Sequence, residues 1–165
     1  MNRVILGGFD GKNNPARIIT EKADVPCRKV ILPNDREQSV KALFDEIDRA
    51  ETSVVVLLGQ KPCIKDKISV EPKAKRGCET LRTAMDVTVS TELIRENGYA
   101  AYISRGCGTS YCNDIYFECL KRGICCIFLH VPTLNNISDL GAVTKAVEGF
   151  VNGIAGIPCM LGGNI

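Results

Sequence analysis

Two runs in this chain are apolar at every position, "VVVLL" at 54–58 and "CCIFL" at 125–129. A strand that is apolar on both faces must be covered on both, as happens when a sheet is sandwiched between helices. Related runs bounded by turn residues are "RVILGG" (3–8), "RKVILP" (28–33), "SVVVLLG" (53–59), "KISVEP" (67–72), "YAAYIS" (99–104) and "ICCIFLHV" (124–131), and all six read as strands.

Helical patterns lie between them. Residues 35–50 place Val40, Leu43, Phe44 and Ile47 on one stripe with charges opposite. Residues 79–98 carry Leu81, Met85, Val89 and Leu93 at helical spacing and end in Asn97-Gly98, a left-handed cap. Residues 110–123 open on Ser110 and close on Lys-Arg-Gly, the polarity of a helix. A last helix spans 138–156, weakened by interior glycines. Strands alternating with helices predict an α/β chain: a three-layer α/β/α sandwich around a largely parallel, mixed central sheet, phosphorylase/hydrolase-like. With 165 residues and no repeat or linker, residues 1–165 are expected to form a single domain.

The net charge of +2 comes from 21 basic and 19 acidic residues that are interspersed, so no nucleic-acid or membrane partner is expected. The apolar run in "MNRVILGGFDG" is too short for a signal core or a membrane span, and the expected location is cytoplasmic. The nine cysteines include no C-x-x-C pair, which suggests neither a disulfide framework nor a zinc ribbon. Cys119, Cys125 and Cys126 read as small buried hydrophobes. The basic stretch 61–76 reads as a solvated loop around a short strand.

Three residues combine into a chemical proposition. His130, the single histidine, closes a strand, where open α/β sheets gather their sites. Cys112 falls in the first turn of the helix 110–123, where unpaired N–H groups and the helix dipole favour a thiolate. Glu71 ends the strand "KISVE", which places it, on a parallel reading, at the same rim as His130. Thiol, imidazole and carboxylate converging there have the logic of a nucleophile, its base and the group that orients the base.

At these residues the sequence resembles the pyroglutamyl peptidase I (pyrrolidone-carboxylate peptidase) family of cysteine peptidases. The likeness lies in "ISVE" with Glu71, "SRGCGTSYCN" with Cys112 and "FLHVPTL" with His130, and more faintly in "GGFDGKNNPA" and "LLGQ". Ser104, Gly108, Thr109, Cys112 and Asn113 fit the family pattern around the nucleophile, with Cys107 in place of its alanine. The resemblance implies an α/β/α fold and removal of an N-terminal pyroglutamyl residue from a peptide or small amide substrate. Cys112 would attack, His130 would act as base and then acid, and Glu71 would orient the ring. It further implies that Phe9, Asn14 and Gln60 face the substrate, that neither a metal nor an organic cofactor is needed, and that the protein is a homo-oligomer.

The departures concern the substrate pocket. The second phenylalanine of the N-terminal motif is lost in "GFDGKNN". Ser110 stands where an aromatic residue is common, and the neighbouring Tyr111 is the candidate to take its place. Asp114 brings a negative charge near the thiol, which raises a thiol pKa. The family's longer segment after the glutamate, which carries an arginine, is replaced by "EPKAKRGCETLRTAMD", read as running directly into a helix, with Arg76 and Arg82 the candidate substitutes. Contraction of both loops leaves a second reading open: a catalytically silent relative that binds a peptide end or small ligand, or serves as an assembly subunit.

Overall fold

The computed structural model describes residues 3–51, 54–107, 111–157 and 159. In chain order its elements are β1 (Val4–Phe9), α1 (Pro15–Lys22), β2 (Arg28–Leu32), α2 (Arg36–Ala50), β3 (Val54–Lys61), β4 (Lys67–Glu71), β5 (Lys73–Arg76), β6 (Glu79–Arg82), α3 (Val87–Glu96), β7 (Ala100–Ile103), α4 (Tyr111–Lys121), β8 (Cys126–Pro132) and α5 (Leu140–Ile154). Four of the helices begin at an Asn or Asp cap, namely Asn14, Asp35, Asp86 and Asp139. In each, the side-chain oxygen accepts a first-turn N–H that has no intrahelical acceptor.

Six strands form one sheet in the order β2-β1-β3-β8-β4-β7. All neighbours are parallel except β4 and β8, which run antiparallel with Ser69 opposite His130 and Glu71 opposite Phe128. The two all-apolar runs lie in the central strands β3 and β8, and alternation sends their side chains to two separate cores. Val54, Val56 and Leu58 with Ile127 and Leu129 meet α1, α3 and α5 on one face. Val55, Leu57, Cys126 and Phe128 meet α2, α4 and the β5–β6 hairpin on the other. This is the expected three-layer α/β/α arrangement around a mixed, largely parallel sheet. The glycines of α5 serve packing, because side chains at Gly149 and Gly153 would strike Asn97 and Leu93 of the neighbouring α3 segment.

The structure departs from the sequence expectations in three places here. Helix α1 was not anticipated, although Asn14-Pro15 is a cap followed by proline at the first helical position. The helix expected over 79–98 begins only at Val87, because Lys73–Arg82 folds back on itself through Gly77, at φ +57, as an antiparallel hairpin. Leu81 therefore packs with Ala74 against the α4 core instead of extending a helical stripe, and Val89, expected to be buried, is 44% exposed. Cys125 is bridged to Cys159 rather than packing as a thiol. The chain after α5 returns to the start of β8, bringing the two Cα atoms within 6.1 Å, inside the range a disulfide spans. Among the described residues no helix is long and apolar enough to cross a membrane.

Asn14 uses its side-chain oxygen on the N–H of Ala16 at 3.0 Å, while its amide donates to the Asp10 carbonyl at 3.4 Å. Replacing Asn14 with Ala is expected to lower the unfolding free energy by about 1 kcal/mol in urea denaturation, and Asn14→Ser to retain most of it.

Candidate active site

The site lies on the sheet face covered by α4. Glu71, Phe128 and His130 share that face because β4 and β8 are in register at Glu71↔Phe128 and Ser69↔His130. The sequence expectation that Glu71 and His130 meet because both end strands at one rim is corrected here. Antiparallel pairing takes Glu71 two residues inward from His130, so the two are diagonal neighbours on one face, a separation that long side chains bridge. His130 Nδ1 lies 2.8 Å from Glu71 Oε1. With the carboxylate accepting, Nδ1 is the nitrogen that donates, which leaves Nε2 turned away from Glu71. The Phe128 ring lies against the imidazole with centroids 4.7 Å apart, which fixes the plane of the ring.

Glu71 is 4% exposed, and its charge depends on donors gathered around it. Burial opposes ionisation. The hydrogen bond and charge of His130, together with the hydroxyls of Ser69 and Ser104, outweigh it and hold the carboxyl below its ordinary value. Ser69 Oγ donates at 2.8 Å, and Lys61 Nζ stands 3.6 Å away. The backbone is pinned as well, since the buried hydroxyl of Tyr116 in α4 donates to the Glu71 carbonyl at 2.8 Å.

Cys112 is the second residue of α4, half-buried in the first turn. It lines a niche of about 10 Å³ together with Glu71, His130, Phe128 and Lys73. Gly59 on β3 makes room for it, because a Cβ at that position would lie 2.8 Å from Cys112 Sγ and 2.9 Å from Phe128 Cζ. Asn113, the next residue, ties α4 to the hairpin. Its amide accepts from Lys75 N at 2.8 Å and donates to Lys75 O at 2.6 Å. Asp114 lies 3.9 Å from Arg36 and 4.0 Å from Arg76, so cations stand beside the charge expected to trouble the thiol. Gly108, Thr109 and Ser110 lie outside the described residues. Among the described residues no cluster of three or more His, Cys, Asp or Glu side chains is placed to hold a metal ion.

The residues expected to face substrate are distributed differently. Phe9 is buried on the same sheet face, its ring centroid 6.4 Å from that of Phe128. Gln60 follows Gly59, so alternation turns it to the other face, where it is exposed at the strand end. Tyr111 is 50% exposed at the start of α4. Asn14 caps α1, as described above.

Neither arginine suggested as a substitute lines the niche. Arg76 pairs with Glu118 at 2.6 Å over the Phe117 ring, and Arg82 is exposed opposite Lys73 in the hairpin. The cation that does line it is Lys73, which the sequence reading placed in a solvated loop. Its signal was the alternation "KAK", in which a buried Ala74 turns its neighbours outward together.

No protein-family model and no curated protein matches the chain. Solved structures do. Pyroglutamyl peptidase I from Bacillus amyloliquefaciens superposes with a TM-score of 0.84 over 94% of this chain and 96% of that one, at 18% identity. The chain has the pyroglutamyl peptidase fold. The pyrrolidone carboxyl peptidase from Fervidobacterium islandicum matches with a TM-score of 0.83 over 94% and 99% of the two chains at 21% identity. That from Thermococcus litoralis gives 0.77 over 92% of each at 22%. The matches span nearly the whole of both chains, so the likeness extends to the complete layered framework.

The close fit at Gly59 carries a prediction. Gly59→Ala is expected to cost roughly 1–3 kcal/mol by overpacking, read as a lowered midpoint in thermal unfolding. Gly106→Ala, where an added Cβ meets nothing within 4 Å, is expected to leave the midpoint in place.

Proposed function

We propose that this chain is a cysteine peptidase of the pyroglutamyl peptidase type, removing an N-terminal pyroglutamyl or related group from a peptide or small amide. The observation that carries this reading is the 2.8 Å contact between His130 Nδ1 and Glu71 Oε1, in a niche lined also by Cys112 at the start of α4. The pyroglutamyl peptidase fold and the motifs around these residues support it.

In this reading His130 Nε2 takes the Cys112 proton as the sulfur adds to the carbonyl carbon, and the oxyanion is met by first-turn N–H groups of α4. The carbon–nitrogen bond then breaks, and the imidazolium gives its proton to the leaving amine, producing a thioester on Cys112. Water, deprotonated by His130, hydrolyses the thioester to release the acid and restore the thiol. Glu71 stays ionised and holds the imidazolium in place. Phe9 acts through Phe128 as part of the apolar wall, Tyr111 stands exposed beside Cys112 at the start of α4, and Gln60, on the opposite sheet face, takes no part in this step.

One observation favours the silent alternative, in which the protein binds a ligand without turning it over: the niche is large enough for about one water. Turnover decides between the two. A pyroglutamyl amide of a fluorogenic amine is expected to be hydrolysed. Cys112→Ala and His130→Ala are each expected to lower kcat/KM by ~1,000-fold or more, with an acyl adduct on Cys112 seen by mass spectrometry after acid quench. Undiminished hydrolysis by Cys112→Ala, or selective labelling of Cys112 without turnover of any amide, contradicts the peptidase reading.

A further inference from the structure

Beside the niche lies a cleft of about 590 Å³ between the β5–β6 hairpin and the first turn of α4. Niche and cleft share Lys73 and Asn113, so the two adjoin and the cleft offers room for a substrate larger than the niche. Its wall carries Lys73, Lys75 and Arg76 against a single carboxylate, Asp114.

These charges are not equivalent. Arg76 is committed to Glu118 at 2.6 Å, and Asp114 lies within 4.0 Å of both Arg76 and Arg36. Lys73 and Lys75 make no ion pair among the described residues. Both stand on the cleft side of β5, because Ala74 between them is fully buried in the core. Their position relative to Cys112 is set by the two hydrogen bonds through which Asn113 clamps the backbone of Lys75. The cleft therefore offers two uncompensated ammonium groups, one of them at the edge of the niche.

We propose that the substrate of this site carries a carboxylate that binds between Lys73 and Lys75. The carboxylate belongs either to the acyl group or to the residue that leaves. The inference rests on the reading of Cys112 as a nucleophile, and the test is built so that the two stand or fall separately.

Binding is measured by calorimetric titration of the Cys112→Ala protein, which does not turn over its ligands. Two matched pairs are compared. Pyroglutamyl-glutamic acid amide against pyroglutamyl-glutamine amide places the charge on the leaving side, and glutaryl-alanine amide against its uncharged glutaramide analogue places it on the acyl side. In one pair the acid is expected to bind about 10-fold tighter, a difference near 1.4 kcal/mol. The preference is expected to shrink as salt is raised from about 0.05 to 0.5 M and to vanish in the double variant K73Q/K75Q. Conservative replacement by Lys73→Arg with Lys75→Arg is expected to restore it.

Equal affinity for acid and neutral ligand in both pairs, or a preference that survives K73Q/K75Q, overturns the proposal. Acid-selective binding with no hydrolysis of any amide by the unsubstituted protein leaves the anion site standing and removes the peptidase reading. Hydrolysis of neutral and acidic amides at equal rates, with equal binding, does the reverse.

Discussion

The site depends on one contact, the hydrogen bond between Glu71 and His130 across the antiparallel pair β4 and β8. A buried carboxylate is costly unless it is answered by charge and hydrogen bonds. Here the answer comes from three directions, the imidazole, the Ser69 and Ser104 hydroxyls and the nearby Lys61. The sheet register makes the arrangement possible. A slip of one residue between β4 and β8 would turn Glu71 to the opposite face and leave His130 against an apolar side chain. The central strands are locked into that register by their two apolar faces, which must both be covered.

The same constraint explains what could be read from the sequence. Runs apolar on both faces announced β3 and β8 and the layered fold, and the long amphipathic stripe announced α2. The Cys112 and His130 segments were legible because helix onset, strand end and family motif fall on the same residues. The orientation of β4 was not legible, since "KISVE" reads identically in either direction. The rim argument for Glu71 therefore named a residue in contact with His130 through an incorrect geometry.

The hairpin was missed for a different reason. Leu81, Met85, Val89 and Leu93 are spaced for a helix, but Gly77 allows the chain to turn back, and Ala74 and Leu81 pair across the hairpin in the core shared with α4. Local periodicity lost to tertiary packing. The Cys125–Cys159 bridge was invisible because it joins positions brought together only when α5 is laid on the sheet. The consequence for function is largest at the hairpin, since it moves Lys73 and Lys75 from a solvated loop to the wall beside Cys112. Where the sequence pointed to Arg76 or Arg82, the cation that lines the niche is Lys73, on the same strand as Arg76.

Because His130 is the only histidine, its ring can be observed alone by nitrogen-15 NMR. The most direct test of the Cys112–His130–Glu71 arrangement is to record the two ring nitrogens at fixed pH before and after Cys112 is capped with a methylthio group. The account predicts a protonated Nδ1 that is perturbed in Glu71→Gln, and an Nε2 resonance that shifts when Cys112 is capped. An Nε2 that does not respond to capping, or an Nδ1 that does not respond to Glu71→Gln, would contradict it.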